Sequence, residues 1–206
     1  PGSGDNEFSV EVVELPDNQG SMETTIIGPP NKLFDEPDYL EVPMTLEVAG
    51  DRGSLTVTVH DQTITLKPGE WSDWVTVSFE ALPGHLMSLD GIVRFYLKEA
   101  PAENGRFQLY MSPINIDPGK PALKISHPAV YATYFAKRIG PYATLGLAED
   151  TWALNEKILD DDTFLEQAAG IEKERENMFF DTLDKIKHGL CVCVFDGTDR
   201  IQHSFW

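Results

Sequence analysis

The sequence predicts an α+β chain: an antiparallel β-sandwich followed by a partial α/β segment that supplies helices and one buried core strand. Three observations lead there. Apolar residues recur with period two as far as about residue 118, the period changes to 3.6 beyond it, and the acidic charge is concentrated on the first stretch. Residues 1–118 hold 6 basic and 20 acidic side chains, whereas residues 119–206 hold 10 and 14. Two domains are therefore expected: an acidic β-sandwich-like unit over 1–118, and a helical and α/β unit over 119–206.

The predicted strands are 8–15, 40–48, 55–59, 63–66, 74–79, 92–97 and 107–111, each alternating so that one face is dry and the other wet. Turn signals separate them, among them Pro16-Asp-Asn-Gln-Gly20, Gly50-Asp-Arg-Gly53, His60-Asp-Gln62 and Lys67-Pro-Gly69. Pro43 lacks a backbone N–H, which places its strand at an edge or a bulge. Pro118 and Pro121 mark the connection to the helical part. A helix start is expected at Glu149-Asp150-Thr151. A longer helix is expected over 161–188, with Phe164, Leu165, Ala168, Ile171, Met178, Phe179, Leu183 and Ile186 as its apolar stripe and Glu172, Lys173, Glu174 and Glu176 facing water. Asp160 to Asp162 suit its N-terminus, His188 suits the negative end of its dipole, and Gly189 is placed as its C′ residue. Leu190–Phe195 has no polar alternation and reads as a strand covered on both faces, with Cys191 and Cys193 as reduced, buried thiols. Unbridged thiols favour a cytoplasmic setting.

The formal charge of −18 over 206 residues argues against partners with phosphate backbones and against anionic membrane surfaces. No apolar run is long enough to span a bilayer, and the N-terminus lacks a signal-peptide pattern. Phosphate-cradling glycine loops and zinc-finger cysteine pairs are missing.

Polar chemistry concentrates in Asp196-Gly-Thr-Asp-Arg-Ile-Gln-His203, directly after the predicted core strand, where α/β sheets gather ligands. On a helix starting near Thr198, Asp199 and His203 stand at i and i+4 and can converge on one ion, with donors suited to zinc, manganese or iron. The spacing equally allows Asp199 or Thr198 to be a helix cap and His203 a surface residue.

The words around this segment extend its meaning. Ser126-His-Pro-Ala-Val-Tyr-Ala-Thr-Tyr-Phe-Ala136, Ile139-Gly-Pro-Tyr through Asn155-Glu156, and Gly189-Leu-Cys-Val-Cys-Val-Phe-Asp-Gly-Thr-Asp-Arg-Ile-Gln-His203 resemble prokaryotic proteins of the type I phosphodiesterase/nucleotide pyrophosphatase family, within the alkaline phosphatase superfamily. The resemblance covers about residues 127 to 206 and implies an alkaline-phosphatase-like core with the β-rich stretch as an insertion or appendage. It implies a metal-dependent phosphoester hydrolase with two divalent ions, zinc or manganese, acting on a phosphoester small molecule through a threonine or serine nucleophile. Asp199 and His203 are implied as ligands of one ion. Asp196 is a candidate for supporting or capping them, and Glu149 and Asp150 are candidates for a substrate-side or packing role. Thr198 follows the wrong strand to be the nucleophile, so no catalytic residue is expected in this chain.

Because Pro1 is no initiator and the sequence stops at Ser204-Phe-Trp206, where a helix carrying two large apolar residues should continue into a core, the chain is expected to be a segment whose partner is the remainder of the catalytic domain. With two ligands it should bind metal poorly and hydrolyse nothing alone. The alternative is a non-catalytic binding module: an acidic β-sandwich for a carbohydrate or protein, with Trp71, Trp74, Tyr96, Phe107 and Tyr110 as its aromatic face or, more simply, its core. His60, His85, His127 and His188 show no ligand spacing, and Asp35, Glu36, Asp38 and Glu41 resemble a solvated loop rather than a calcium loop.

Overall fold

The computed structural model describes residues 20–31, 33, 39–82, 87–99 and 107–206. It is α+β. Ten strands come first: β1 (Ser21–Pro30), β2 (Tyr39–Val48), β3 (Leu55–Val59), β4 (Gln62–Leu66), β5 (Glu70–Trp71), β6 (Val75–Leu82), β7 (Met87–Val93), β8 (Phe95–Glu99), β9 (Gln108–Met111) and β10 (Asn115–Ile116). Four helices follow: α1 (Val130–Ile139), α2 (Thr151–Asn155), α3 (Asp161–Lys185) and α4 (Gly197–Phe205). The change from strand to helix thus falls where the period changes. The strands expected over 8–15 and the acidic positions Asp35, Glu36 and Asp38 lie outside the described residues, and Glu41 is an exposed position on β2.

Two compact units interleave along the chain, so their division does not follow a cut at residue 118. One gathers Pro1–Ile27, Glu41–Ser72 and Phe95–Tyr110; the other gathers Gly28–Leu40, Asp73–Arg94 and Met111–Trp206. The first contains most of a four-stranded sheet ordered β1-β2-β3-β4 and a three-stranded sheet ordered β5-β8-β9. Alternation sets its buried face: Leu55, Val57 and Val59 are fully buried, while Thr56 and Thr58 on the other face meet Thr65 and Thr63 across the ladder. Trp71 packs against Tyr96 and Tyr110 at ring separations of 4.9 and 5.7 Å, so these aromatics serve as packing.

β2 lies between β1 and β3, contrary to the edge position expected from Pro43. The proline is tolerated because the β2–β3 ladder begins only at Met44, opposite Val59. The strand expected over 92–97 is divided at Arg94. Its N–H donates to the Ser112 hydroxyl and its carbonyl accepts from the Ser112 N–H, which takes its backbone out of either flanking ladder.

The second unit holds the sheet ordered β10-β7-β6 together with the four helices. Gly91 sits in β7 with both neighbours close: a Cβ there would lie 2.6 Å from Ile114 Cγ2 and 3.0 Å from the Asn115 carbonyl oxygen. The helical core is made by Phe135, Tyr142, Ala153, Leu159, Phe164, Ala168 and Ile171. α3 begins as the sequence predicts, with the Asp160 carboxylate accepting from Thr163 N–H at 2.8 Å. It stops at Lys185, three residues earlier than expected, and Gly189 adopts its positive φ of 116° beyond the helix rather than as its C′ residue. Burial explains the early stop. Phe164, Ala168 and Ile171 of the stripe are buried, while Leu183 and Ile186 at its far end are exposed and offer no packing to extend the helix. His188 therefore does not flank the helix end.

Leu190–Phe195 is not a buried strand. It forms no regular structure, and Leu190, Val192 and Val194 are 84%, 76% and 75% exposed. A strand requires a neighbour to complete its backbone hydrogen bonds, and no described residue pairs with this segment. Its thiols are correspondingly open: Cys193 is exposed and Cys191 half-buried, both free. Among the described residues no helix is long and apolar enough to cross a membrane.

Candidate functional site

α4 carries the residues that the sequence singled out. It runs along α3 in the opposite direction. Near its start, Gly197 is buried so close to Glu172 that a Cβ would come within 3.0 Å of Glu172 Oε2; near its end, the Phe205 ring meets Phe164 with centroids 6.0 Å apart. Asp199 and His203 emerge on the open side, 65% and 82% exposed, with Oδ1 and Nε2 3.4 Å apart. Two ligands of one tetrahedral zinc, each roughly 2.0–2.1 Å from the ion, lie about 3.3–3.4 Å from each other. The pair therefore has the chemistry and spacing of two ligands to one ion. No third ligating side chain joins them, since no group of three or more His, Cys, Asp or Glu suited to a metal occurs among the described residues.

Asp196 occupies the N-cap position of α4, but its carboxylate makes no capping bond. It faces two guanidinium groups instead. Oδ1 accepts from Arg175 Nη1 on α3, and Oδ2 accepts from Arg200 Nη2 at 3.5 Å, one turn along α4. The same Arg175 Nη1 reaches Glu172 Oε2 at 3.3 Å and stands 3.5 Å from Glu149 Oε1. Glu149 is the deepest member: its side chain is 1% exposed, and neither oxygen has a hydrogen-bond donor among the described residues. A buried carboxylate without donors is held by the nearby positive charge.

Asp150, the other substrate-side candidate, is used locally. Its carboxylate caps α2 by accepting from Ala153 N–H at 3.0 Å, and its own N–H donates to Gln167 Oε1 at 2.8 Å. Thr198 is exposed on α4. Glu174, expected to face water, is half-buried: it accepts the Trp74 indole N–H at 2.7 Å and the Ala143 N–H at 2.8 Å. Burial raises its carboxyl above the ordinary value, against the lowering effect of those donors and of Arg94 and Arg175. Trp74 is thus fixed by Glu174 and by Arg94, which stands 5.8 Å over its ring.

Sequence reasoning brought out Asp196, Asp199 and His203 and missed Glu172, Arg175 and Arg200. One signal was present: Asp196 and Arg200 at i and i+4 form a pair on a single helix face. Arg175 carried a local mark too, with Glu172 at i−3 on the same helix, but that face was read as solvated, and its other partners, Asp196 and Glu149, are distant in sequence. No family model matches the chain, and neither a curated protein nor a solved structure is significantly similar to it.

Proposed function

We propose that this chain is a segment of a metal-dependent phosphoester hydrolase of the phosphodiesterase/nucleotide pyrophosphatase type, in which Asp199 and His203 supply part of a two-metal site. The observation supporting this reading is the 3.4 Å separation of a carboxylate oxygen and an imidazole nitrogen on the open face of α4, in the stretch with the most specific family resemblance. Zinc or manganese bound there would polarise a phosphoryl oxygen and neutralise its charge. The residues of this chain do the holding: Asp199 offers an anionic oxygen, neutral His203 offers a ring nitrogen, and α4 fixes both on one face.

On this reading the nucleophile and the remaining ligands belong to other parts of an alkaline-phosphatase-like catalytic domain. The protein works in the cytoplasm on a small phosphoester. The test is hydrolysis of an aryl phosphodiester by the full-length protein with zinc or manganese. Asp199→Ala and His203→Ala should each lower the rate by about a hundredfold or more, above the cost of losing a supporting partner. Unchanged rates in both variants would remove the assignment.

A further inference from the structure

We propose that Cys191 and Cys193 form a reversible dithiol–disulfide site that reacts with small-molecule disulfides of the glutathione type, independently of the reading of Asp199 and His203. Both thiols are free, Cys193 exposed and Cys191 half-buried. Val192 alone stands between them and is itself 76% exposed. Two residues of fully extended chain span at most roughly 6.6–7.2 Å, and a disulfide joins Cα atoms about 4.4–6.8 Å apart. A slight bend at Val192 is therefore all that closure requires.

Whether the chain can bend depends on what holds its backbone. Inside a sheet, hydrogen bonds to neighbouring strands would keep the run extended and resist closure. Leu190–Phe195 forms no regular structure and has no backbone bond to any described residue. The Cys193 thiol donates only weakly, to the Val194 carbonyl at 3.9 Å within the same segment. The two sulfurs also feel each other. Burial first, then Cys191 and Glu172, hold the Cys193 thiol above its ordinary value, with Arg175 opposing them.

The chemistry is thiol–disulfide exchange. A thiolate of the pair attacks one sulfur of glutathione disulfide, expelling one glutathione thiolate and leaving a mixed disulfide on the chain. The second thiol loses its proton to water, attacks the chain's own sulfur in that mixed disulfide and expels the other glutathione. The two cysteines lose two electrons in all, and glutathione disulfide is reduced to two thiols. Tethering the second thiol one residue away makes its attack faster than that of a second glutathione disulfide or another chain. An exposed disulfide closing so short a loop belongs to the labile, regulatory kind, so excess reduced glutathione should reopen it.

The sequence contains no other cysteine, so the intact mass of the 206-residue chain reports on this pair alone. The reduced chain is incubated with glutathione disulfide, quenched with acid and weighed by mass spectrometry. The expected product is monomeric, lacks two hydrogens and retains no glutathione, and excess reduced glutathione restores the starting mass. Cys191→Ser and Cys193→Ser should each stop with one glutathione attached. A wild-type chain that carries two glutathiones, joins to a second chain or keeps both thiols unreacted would overturn the proposal, as would a closed form that excess reduced glutathione leaves intact.

Discussion

Leu55–Val59 and Leu190–Phe195 are both short, apolar stretches rich in strand-forming residues, and they have opposite fates. The first becomes β3, flanked by β2 and β4, with Leu55, Val57 and Val59 fully buried. The second is open, with Leu190 84% exposed and no backbone bond to any described residue. What separates them is supply of neighbours. β3 is followed by a tight connection at His60 and Asp61, which brings β4 back into register with Val59 opposite Gln62, so its partner is local in sequence. Leu190–Phe195 is flanked by helices on both sides, and any strand beside it must come from far away. Strand propensity describes how well a residue fits a pleated, covered surface; it does not provide the cover.

The largest expected effect tests this contrast directly. Leu55→Ala should destabilise the chain by about 3 kcal/mol, the range for emptying a buried leucine site. Leu190→Ala, removing the same atoms from an exposed segment, should change stability by less than about 0.5 kcal/mol. Urea unfolding of both variants of the 206-residue chain is the measurement, and equal losses would erase the distinction.

A second change extends the comparison to β7, which like β3 is paired on both sides. Gly91→Ala forces a methyl group against Ile114 and the Asn115 carbonyl, and one of these contacts is backbone that cannot rotate away. A loss of about 1–3 kcal/mol is expected by the same unfolding measurement. Overpacking of this size has no counterpart at Gly189, where a Cβ would meet nothing.

The smallest effect concerns Glu174 on α3. Its folded-state carboxyl is raised, mainly by burial. The folded chain therefore holds that proton more tightly than the unfolded one. The contribution to stability is fully present below the unfolded value, ordinarily near 4.5, and is lost as pH rises through the raised one. Glu174→Gln removes the titration and keeps one of the two acceptor oxygens that Trp74 and Ala143 use. Melting temperatures across that window should fall with rising pH more steeply in the wild type than in the variant, and parallel profiles would show that the buried carboxyl is not responsible.

Much of the fold was legible because its signals are local. Period two located β2, β3, β4, β6, β8 and β9, and Asp150 and Asp160 announced α2 and α3 as caps. β1 was missed because Ser21–Pro30 ends in Gly28-Pro-Pro30, residues that ordinarily interrupt strands. The division at Arg94 was hidden because it depends on Ser112, eighteen residues away. The site divides in the same way. Asp199 and His203 follow from helical spacing on α4, whereas the Arg175–Asp196 hydrogen bond and the Arg175–Glu149 ion pair link positions whose proximity is created only by packing. Helix period assigned Glu174 to water, yet Trp74, one hundred residues earlier, covers it.

The central claim is that Asp199 and His203 act together on one ion, and a double-mutant cycle on the full-length protein tests it most directly. The rate of aryl phosphodiester hydrolysis is measured for the wild type, Asp199→Ala, His203→Ala and the double variant. Ligands of a single ion act as a unit, so the double variant should lose little more than either single one. Losses that multiply, or no loss at either position, would contradict the account.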